Sequence, residues 1–360
     1  MSDRQLNMNN LIRKIYLERD RYINNRRKAE HPLQQLFWEC TLKCNLKCLH
    51  CGSDCKVNEE QQDMPLQDFL TVLDNLSDHV NPQHVLVITT GGEPLVRHDI
   101  IECGREITRR GFLWGMVSNG MLLSSQMIDN LMEAGLKTIA ISLDGFKEEH
   151  NWMRGHDNSF DRAVNAIKSL SHRHIVWDVI TCVNKRNYKD LDAFKEFLLS
   201  IGVRQWRIFT VFPAGRAKDN DDLQLTPEQI RGVMEFIVRT RKEKRINLCF
   251  SCEGFLGDYE FEVRDHSYFC QAGIHVASIL ADGSISGCLS IRSNYNQGNI
   301  YHDNFWNVWN SRFDQYRNRQ WAKTEACADC EMWRYCEGNG MHLRDENGKL
   351  IMCNYKNMQE

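Results

Sequence analysis

"CTLKCNLKCLHCGSDC", residues 40–55, follows the apolar run "LQQLFWEC" and sets five cysteines into sixteen positions. The run predicts a β-strand, and the loop directly after a strand is where a β/α protein displays its reactive groups. Working outward, further apolar runs recur between residues 34 and 212: "HVLVITT", "LWGMVSN", "LKTIAISL", "IVWDVITCV" and "WRIFTVF", with helix-like stretches between them. Near-continuous apolar strands alternating with helices indicate a parallel sheet covered on both faces. Six such units predict an α/β fold, either a partial β/α barrel or an open doubly wound sheet.

The polar motifs share one phase. The cysteine loop follows the first strand, "GGEP" the second, "SNG" the third and "SLDG" the fourth. Motifs at the C-terminal ends of successive strands describe a single mouth.

Composition narrows the classes. The chain has 360 residues, enough for two or three domains, and its 42% apolar and 26% charged content is ordinary for a globular protein. A formal charge of -3 gives no reason to expect a nucleic-acid partner. No apolar run approaches the roughly 18 residues of a membrane span, and "MSDRQLNMNNLIRK" lacks the apolar region of a signal peptide, so a soluble, cytoplasmic protein is expected. Fifteen cysteines in a reducing compartment need a reason other than disulfides. They gather at 40–55, 249–288 and 327–353, which reads as metal ligation, while Cys103 and Cys182 stand apart and are expected in the core.

Beyond residue 245 helical periodicity fades, and turn signals such as "ADGS" predict a small, ligand-held domain over 246–360 behind a barrel over 34–245. In residues 1–33, Leu11, Ile12, Ile15, Tyr16 and Ile23 at helical spacing predict a helix packed on the barrel with a solvated basic face; a docking surface for a peptide or acidic partner is the alternative. Trp306, Trp309 and Trp321 read as the core of a helix packed on the barrel.

Cys44, Cys48 and Cys51 are spaced C-x3-C-x2-C. A four-iron cubane takes four thiolates, so three on one loop leave one iron open. Zinc, with Cys40 or Cys55 as a fourth ligand, is compatible with the same spacing.

The pattern resembles the radical S-adenosylmethionine (radical SAM) enzymes, whose hallmark is C-x3-C-x2-C, here with His50 where an aromatic residue often stands. Gly91, Gly92, Glu93 and Pro94 are similar to the family's second motif, which holds the methionine amino group of the cofactor. The resemblance further implies that Ser118 and Asn119, then Ser142 and Asp144, hold its ribose or methionine part, and that Arg154 in "HNWMRG" meets its carboxylate. It implies a partial (β/α)6 TIM-like barrel and a [4Fe-4S] cluster bound to S-adenosylmethionine. One-electron cleavage of the sulfonium would give a 5′-deoxyadenosyl radical, which takes hydrogen from an unactivated C–H bond. A low-potential electron donor, flavodoxin- or ferredoxin-like, is the implied partner.

The C-terminal cysteines resemble the SPASM extension. Cys270, twelve residues, Gly283, four residues and Cys288 are similar to its opening, and Cys327-x2-Cys330-x5-Cys336 with Cys353 to its second half. The resemblance implies two auxiliary iron–sulfur clusters. A distal one would use Cys327, Cys330, Cys336 and Cys353. A proximal one would use Cys270 and Cys288 with Cys249 and Cys252 of "CFSC", because Gly340 stands where the family usually has a further cysteine. Such enzymes typically modify peptides or proteins, so a peptide or protein substrate is expected. The alternatives are a small-molecule precursor, tetrapyrrole or quinone, or a non-catalytic iron–sulfur or zinc protein. Sulfatase maturation is disfavoured, since Leu289 and Ser290 follow Cys288 where that branch carries an aspartate base. The segment ahead of the barrel is too short for the separate leader-binding domain of some peptide-modifying members.

Overall fold

The computed structural model describes residues 3–218 and 220–359, with side chains from residue 10 onward. It opens with helix α1 (Asp3–Glu30). Strands β1 (Gln35–Thr41), β2 (Leu86–Gly91), β3 (Leu113–Ser118), β4 (Leu136–Ser142), β5 (Val176–Val183), β6 (Gln205–Thr210) and β7 (Asn247–Phe250) then lie side by side and parallel. Their crossovers carry α2 (Leu66–Ser77), α3 (Ile100–Arg109), α4 (Ser125–Glu133), α5 (Lys147–Arg154), α6 (Ser159–Leu170), α7 (Leu191–Ser200) and α8 (Pro227–Glu243). The expected α/β class with a parallel sheet is what forms.

The sheet extends past the six expected strands. β7 adds to β6, and β8 (Val276–Ile279) pairs in parallel with β1 on its other side, from Gln35 opposite Val276 to Trp38 opposite Ile279. β9 (Ser284–Ser286) and β10 (Gly298–Asn299) follow antiparallel, with the "ADGS" turn between β8 and β9. The boundary expected at 245–246 therefore does not divide two sheets.

Side-chain alternation explains the layers. Trp38, Trp114 and Trp206 are fully buried in the main core, and Trp38 stacks on Phe69 of α2 with ring centroids 4.1 Å apart. Two of these indoles satisfy their N–H groups on neighbouring strands, Trp114 at Thr89 Oγ1 (3.1 Å) and Trp206 at Thr181 Oγ1 (2.8 Å), while the Trp38 N–H is buried without a partner. By the period of two, Asp178, Ile180 and Cys182 stand on the face of β5 opposite Val179, Thr181 and Val183. Arg207 on β6 pairs with Asp178 on that inner face, and Cys249 on β7 lies in register beside Arg207.

The N-terminal helix corrects one expectation. Leu11 (60% exposed), Ile12, Ile15 (58%), Tyr16 and Ile23 face solvent, and α1 docks through its other side. Leu17 packs with Phe255 and Tyr268, and Asp20 is buried, accepting from the amide (2.9 Å) and hydroxyl (3.0 Å) of Ser267. Glu18 meets Arg334 (2.6 Å) and Tyr335 (2.8 Å), Lys28 meets Glu337 (2.6 Å), and Arg13 pairs with Asp258. The helix is fastened to the cysteine-rich C-terminal part by Leu17, by buried Asp20 and by these polar pairs, on the side away from the apolar period. Helix α9 (Phe305–Ser311) behaves as expected at Trp309, which is fully buried; Trp306 stacks on His79 at 4.9 Å, and Trp321 lies outside the helix against Tyr295. Among the described residues no helix is long and apolar enough to cross a membrane.

Candidate active site

The cysteine loop leaves the C-terminal end of β1 and is tied down from two sides. From β2, Gly92 N–H donates to Thr41 O (2.7 Å) and Glu93 N–H to Lys43 O (2.9 Å). This contact dictates glycine: Gly91 has φ +130°, and a Cβ there would sit 2.1 Å from Thr41 O, while one on Gly92 would sit 2.0 Å from Lys43 O. From the loop after β6, Arg216 donates to the carbonyls of Cys48 (2.7 Å) and Cys55 (3.0 Å) and pairs with Asp54 (2.8 Å).

Glu93 organises the neighbouring strand end. Its buried carboxylate accepts from Ser118 Oγ (2.8 Å), Asn119 N–H (2.7 Å) and Leu95 N–H (3.3 Å). Burial pushes its pKa up to about 7, against the pull of those donors. Asn119 extends its amide to Asn45 Oδ1 (2.8 Å) and to within 4.0 Å of the Cys44 sulfur. Pro94 is buried at the start of a short turn.

The strand β4 side supplies charge. Arg154, at the end of α5, donates through Nε to Asp144 Oδ2 (2.6 Å) and through Nη1 toward the Cys48 sulfur (3.8 Å). Burial opposes ionisation of Asp144, but Arg154, with His50 and His150 adding, holds its pKa down at about 2. Asp144 also receives the Cys182 amide at 3.0 Å. The ligand atoms of His50, Asp144 and Cys182 lie within 4.8 Å of one another, yet both Asp144 oxygens are already engaged, so the trio is a polar cluster beside the cysteine loop. Ser142 ends β4, opposite Ile180 of β5.

The thiols answer the question of which metal group they suit. All fifteen cysteines are free thiols. Among the described residues no three cysteine sulfurs lie within 4.8 Å of one another, whereas a tetrahedral zinc with bonds of about 2.3 Å would draw its sulfurs to about 3.8 Å apart. Thiolates are the donor type that iron–sulfur clusters take. Burial lifts the Cys44 pKa to about 11. A hydrogen bond from Cys55, then Arg216 among further contributors, brings Cys51 down to about 5. Cys55, itself buried, is this thiol's hydrogen-bond partner. Cys40 is fully buried, its thiol on Thr90 O (3.3 Å).

In the C-terminal part, Cys327, Cys330, Cys336 and Cys353 line one small pocket, with Phe255, Trp333 and Tyr355 among its walls. Cys252, Cys270 and Cys288 form a second group within electrostatic reach of one another. Cys249 does not join it. Leu248 and Phe250 turn into the core, so Cys249 takes the opposite face of β7 and meets the Arg207–Asp178 pair. Of the four thiols expected for the proximal group, Cys249 is therefore the one on the Arg207–Asp178 side.

Sequence reasoning also missed Arg216, which no motif announces, and it missed that Cys182, packed against Met153 and Val211 as a core residue, also lies beside Asp144. The charged Asp178 inside an apolar strand was the available signal, because residues 178, 180 and 182 share one face.

A parallel sheet with a thiol loop beyond its first strand and two further thiol groups in the C-terminal part defines a β/α protein with thiol sites suited to iron–sulfur clusters. The sequence matches the radical SAM superfamily over residues 38–198 and an iron–sulfur cluster-binding (SPASM) domain over residues 270–331. It is 30% identical over 320 residues to mycofactocin maturase MftC of Mycolicibacterium smegmatis, covering 85% of this chain and 77% of that protein. It is 25% identical over 323 residues to an AdoMet-dependent heme synthase of Methanosarcina barkeri, covering 84% and 90%. Its fold is similar to that of anSMEcpe with bound AdoMet and Cp18Cys peptide, with TM-score 0.69, 18% identity and coverage of 91% and 94%. This chain belongs to the radical SAM superfamily and carries a C-terminal SPASM domain. It is accordingly an enzyme of a [4Fe-4S] cluster and S-adenosylmethionine, with auxiliary iron–sulfur clusters in its C-terminal part.

Proposed function

We propose that this enzyme abstracts hydrogen from a peptide or protein substrate, with Cys44, Cys48 and Cys51 holding the barrel cluster. The supporting observation is the charge balance of the inner face. Arg207 keeps 39% of its side chain exposed there but is paired with Asp178; Arg292, from the loop after Cys288, pairs with Glu39 of β1 at 3.3 Å. Each arginine is neutralised by its own carboxylate. Such a surface offers donors and acceptors together, which suits the amides and mixed side chains of a peptide better than a polyanion.

When bound, the cluster and cofactor supply the electron and the hydrogen-abstracting power. This chain's residues bind and orient. Gly91 and Gly92 let this strand end seat directly against the cysteine loop, Glu93 fixes Ser118 and Asn119, and Ser142, Asp144 and Arg154 supply polar groups from the next strand end. A low-potential donor, flavodoxin- or ferredoxin-like, completes the reading.

A second reading, a carboxylated tetrapyrrole, is supported by the similarity to heme synthase, and it requires the Arg207 or Arg292 pair to open toward the substrate. The test is 5′-deoxyadenosine production by anaerobically reconstituted enzyme under a strong reductant. Stimulation by peptide or protein fractions, with none from a carboxylated iron porphyrin, supports the first reading; the reverse moves the function to the second. Cofactor cleavage surviving replacement of Cys44, Cys48 and Cys51 by alanine would remove the cluster assignment.

A further inference from the structure

The family spacing C-x2-C-x5-C-x3-C reaches Gly340 at its last position, and the structure shows what occupies the space of the missing thiol. A Cβ added to Gly340 would lie 2.8 Å from His342 Nδ1, 2.7 Å from His342 Cε1 and 2.9 Å from the Tyr268 hydroxyl. The imidazole thus fills the direction in which a cysteine at 340 would project. Tyr268 sits two residues before Cys270, close enough to Cys270, Cys252 and Cys336 for their charges to bear on its hydroxyl. The site of the missing ligand therefore borders the three-thiol group.

That group is one ligand short. Cys252, Cys270 and Cys288 assemble, and Cys249, the thiol expected to complete them, faces Arg207 and Asp178. His342 meanwhile has no evident structural role for its nitrogens. It is 8% exposed, stands edge-on to Phe212 at 5.2 Å, and makes no side-chain hydrogen bond among the described residues. The adjacent Tyr268 hydroxyl is buried without a partner, which is costly. A neutral imidazole is a good ligand for iron.

We propose that His342 is the fourth ligand of the proximal auxiliary cluster, completing Cys252, Cys270 and Cys288 in place of the cysteine missing at position 340. The proposal rests on the reading of those three thiols as that cluster's ligands. An imidazole brings no negative charge, so this cluster is reduced more easily than an all-thiolate one, as histidine ligation does in Rieske centres.

The test uses the full chain with Cys44, Cys48 and Cys51 replaced by alanine, so that only the auxiliary clusters remain and no cofactor nitrogen binds iron. The protein is reconstituted anaerobically, its iron counted, and the reduced clusters examined by pulsed EPR. Expected are about eight irons per chain and a ¹⁴N coupling on one cluster. His342→Ala should abolish the coupling and lose up to about four irons. His342→Cys should restore the iron with no ¹⁴N coupling and a more negative midpoint potential. Full iron without nitrogen coupling in the parent, or coupling that persists in His342→Ala, overturns the ligand assignment. Unchanged iron in Cys252→Ala overturns instead the three-thiol group beneath it, so the two failures are distinguishable.

Discussion

Asp144 and Arg154 form a buried ion pair, Nε 2.6 Å from Oδ2, and the same guanidinium points at the Cys48 sulfur from 3.8 Å. Asp144→Asn leaves Arg154 charged with no counter-charge in a site from which water is excluded. The expected cost is about 3–5 kcal/mol in thermal unfolding of the apoprotein, and the Asp144→Asn/Arg154→Met double variant should recover most of it. A single-variant loss below about 1 kcal/mol would mean that solvent reaches the pair.

Glu93 gives the cofactor-free apoprotein a pH signature. Its folded pKa of about 7 lies above the unfolded value of 4.5, so between these two values the folded state binds more protons. Stability should fall as pH rises through that window, with both states protonated below it, and buried Glu253, raised to about 8, adds a fall of the same sign. Glu93→Gln should reduce the slope and leave the share of Glu253; an unchanged slope would assign it wholly to other groups.

Iron content separates the two cysteines of "CFSC". Cys252→Ala should lose the proximal cluster, about four irons, whereas Cys249→Ala should keep full iron because its thiol faces Arg207. Equal losses would return Cys249 to the ligand set.

Arg216 bridges two carbonyls of the cysteine loop with one planar guanidinium. Arg216→Ala should speed loss of the barrel cluster in air, and Arg216→Lys should rescue only in part, since an ammonium lacks the fork. Timed iron release measures both, and full rescue by lysine would reduce the role to charge.

On α1, Ile15→Gln should shift stability by no more than about 0.5 kcal/mol, because Ile15 is exposed. Leu17→Ala should cost at least about 2 kcal/mol. Chemical denaturation of the full chain reads both, and the reverse ranking would turn the helix over.

The barrel was legible because its strands are buried on both faces and its motifs fall in one phase, from Cys44 to Asp144. The thiol groups were legible as types and spacings. What the sequence could not show was direction. Cys249 and Cys252 look interchangeable as letters, and only the end of β7 at Phe250 sends one inward and the other onward. α1 misled for a related reason: its partners Ser267, Arg334 and Glu337 lie hundreds of positions away, so no local period announces the polar face. Cys55 and Arg216 likewise owe their roles to contacts that spacing does not encode.

The pairing of β1 with β8 bears on how the chain reaches this state. Gln35–Trp38 must wait for Val276–Ile279, about 240 residues later, before that edge closes. At common synthesis rates the delay is on the order of tens of seconds, during which an apolar parallel strand offers unpaired hydrogen-bonding groups to any neighbour. Truncation before Val276 would leave that edge permanently bare, so barrel-only fragments should aggregate where the full chain folds. The C-terminal part thus covers the β1 edge of the domain that precedes it.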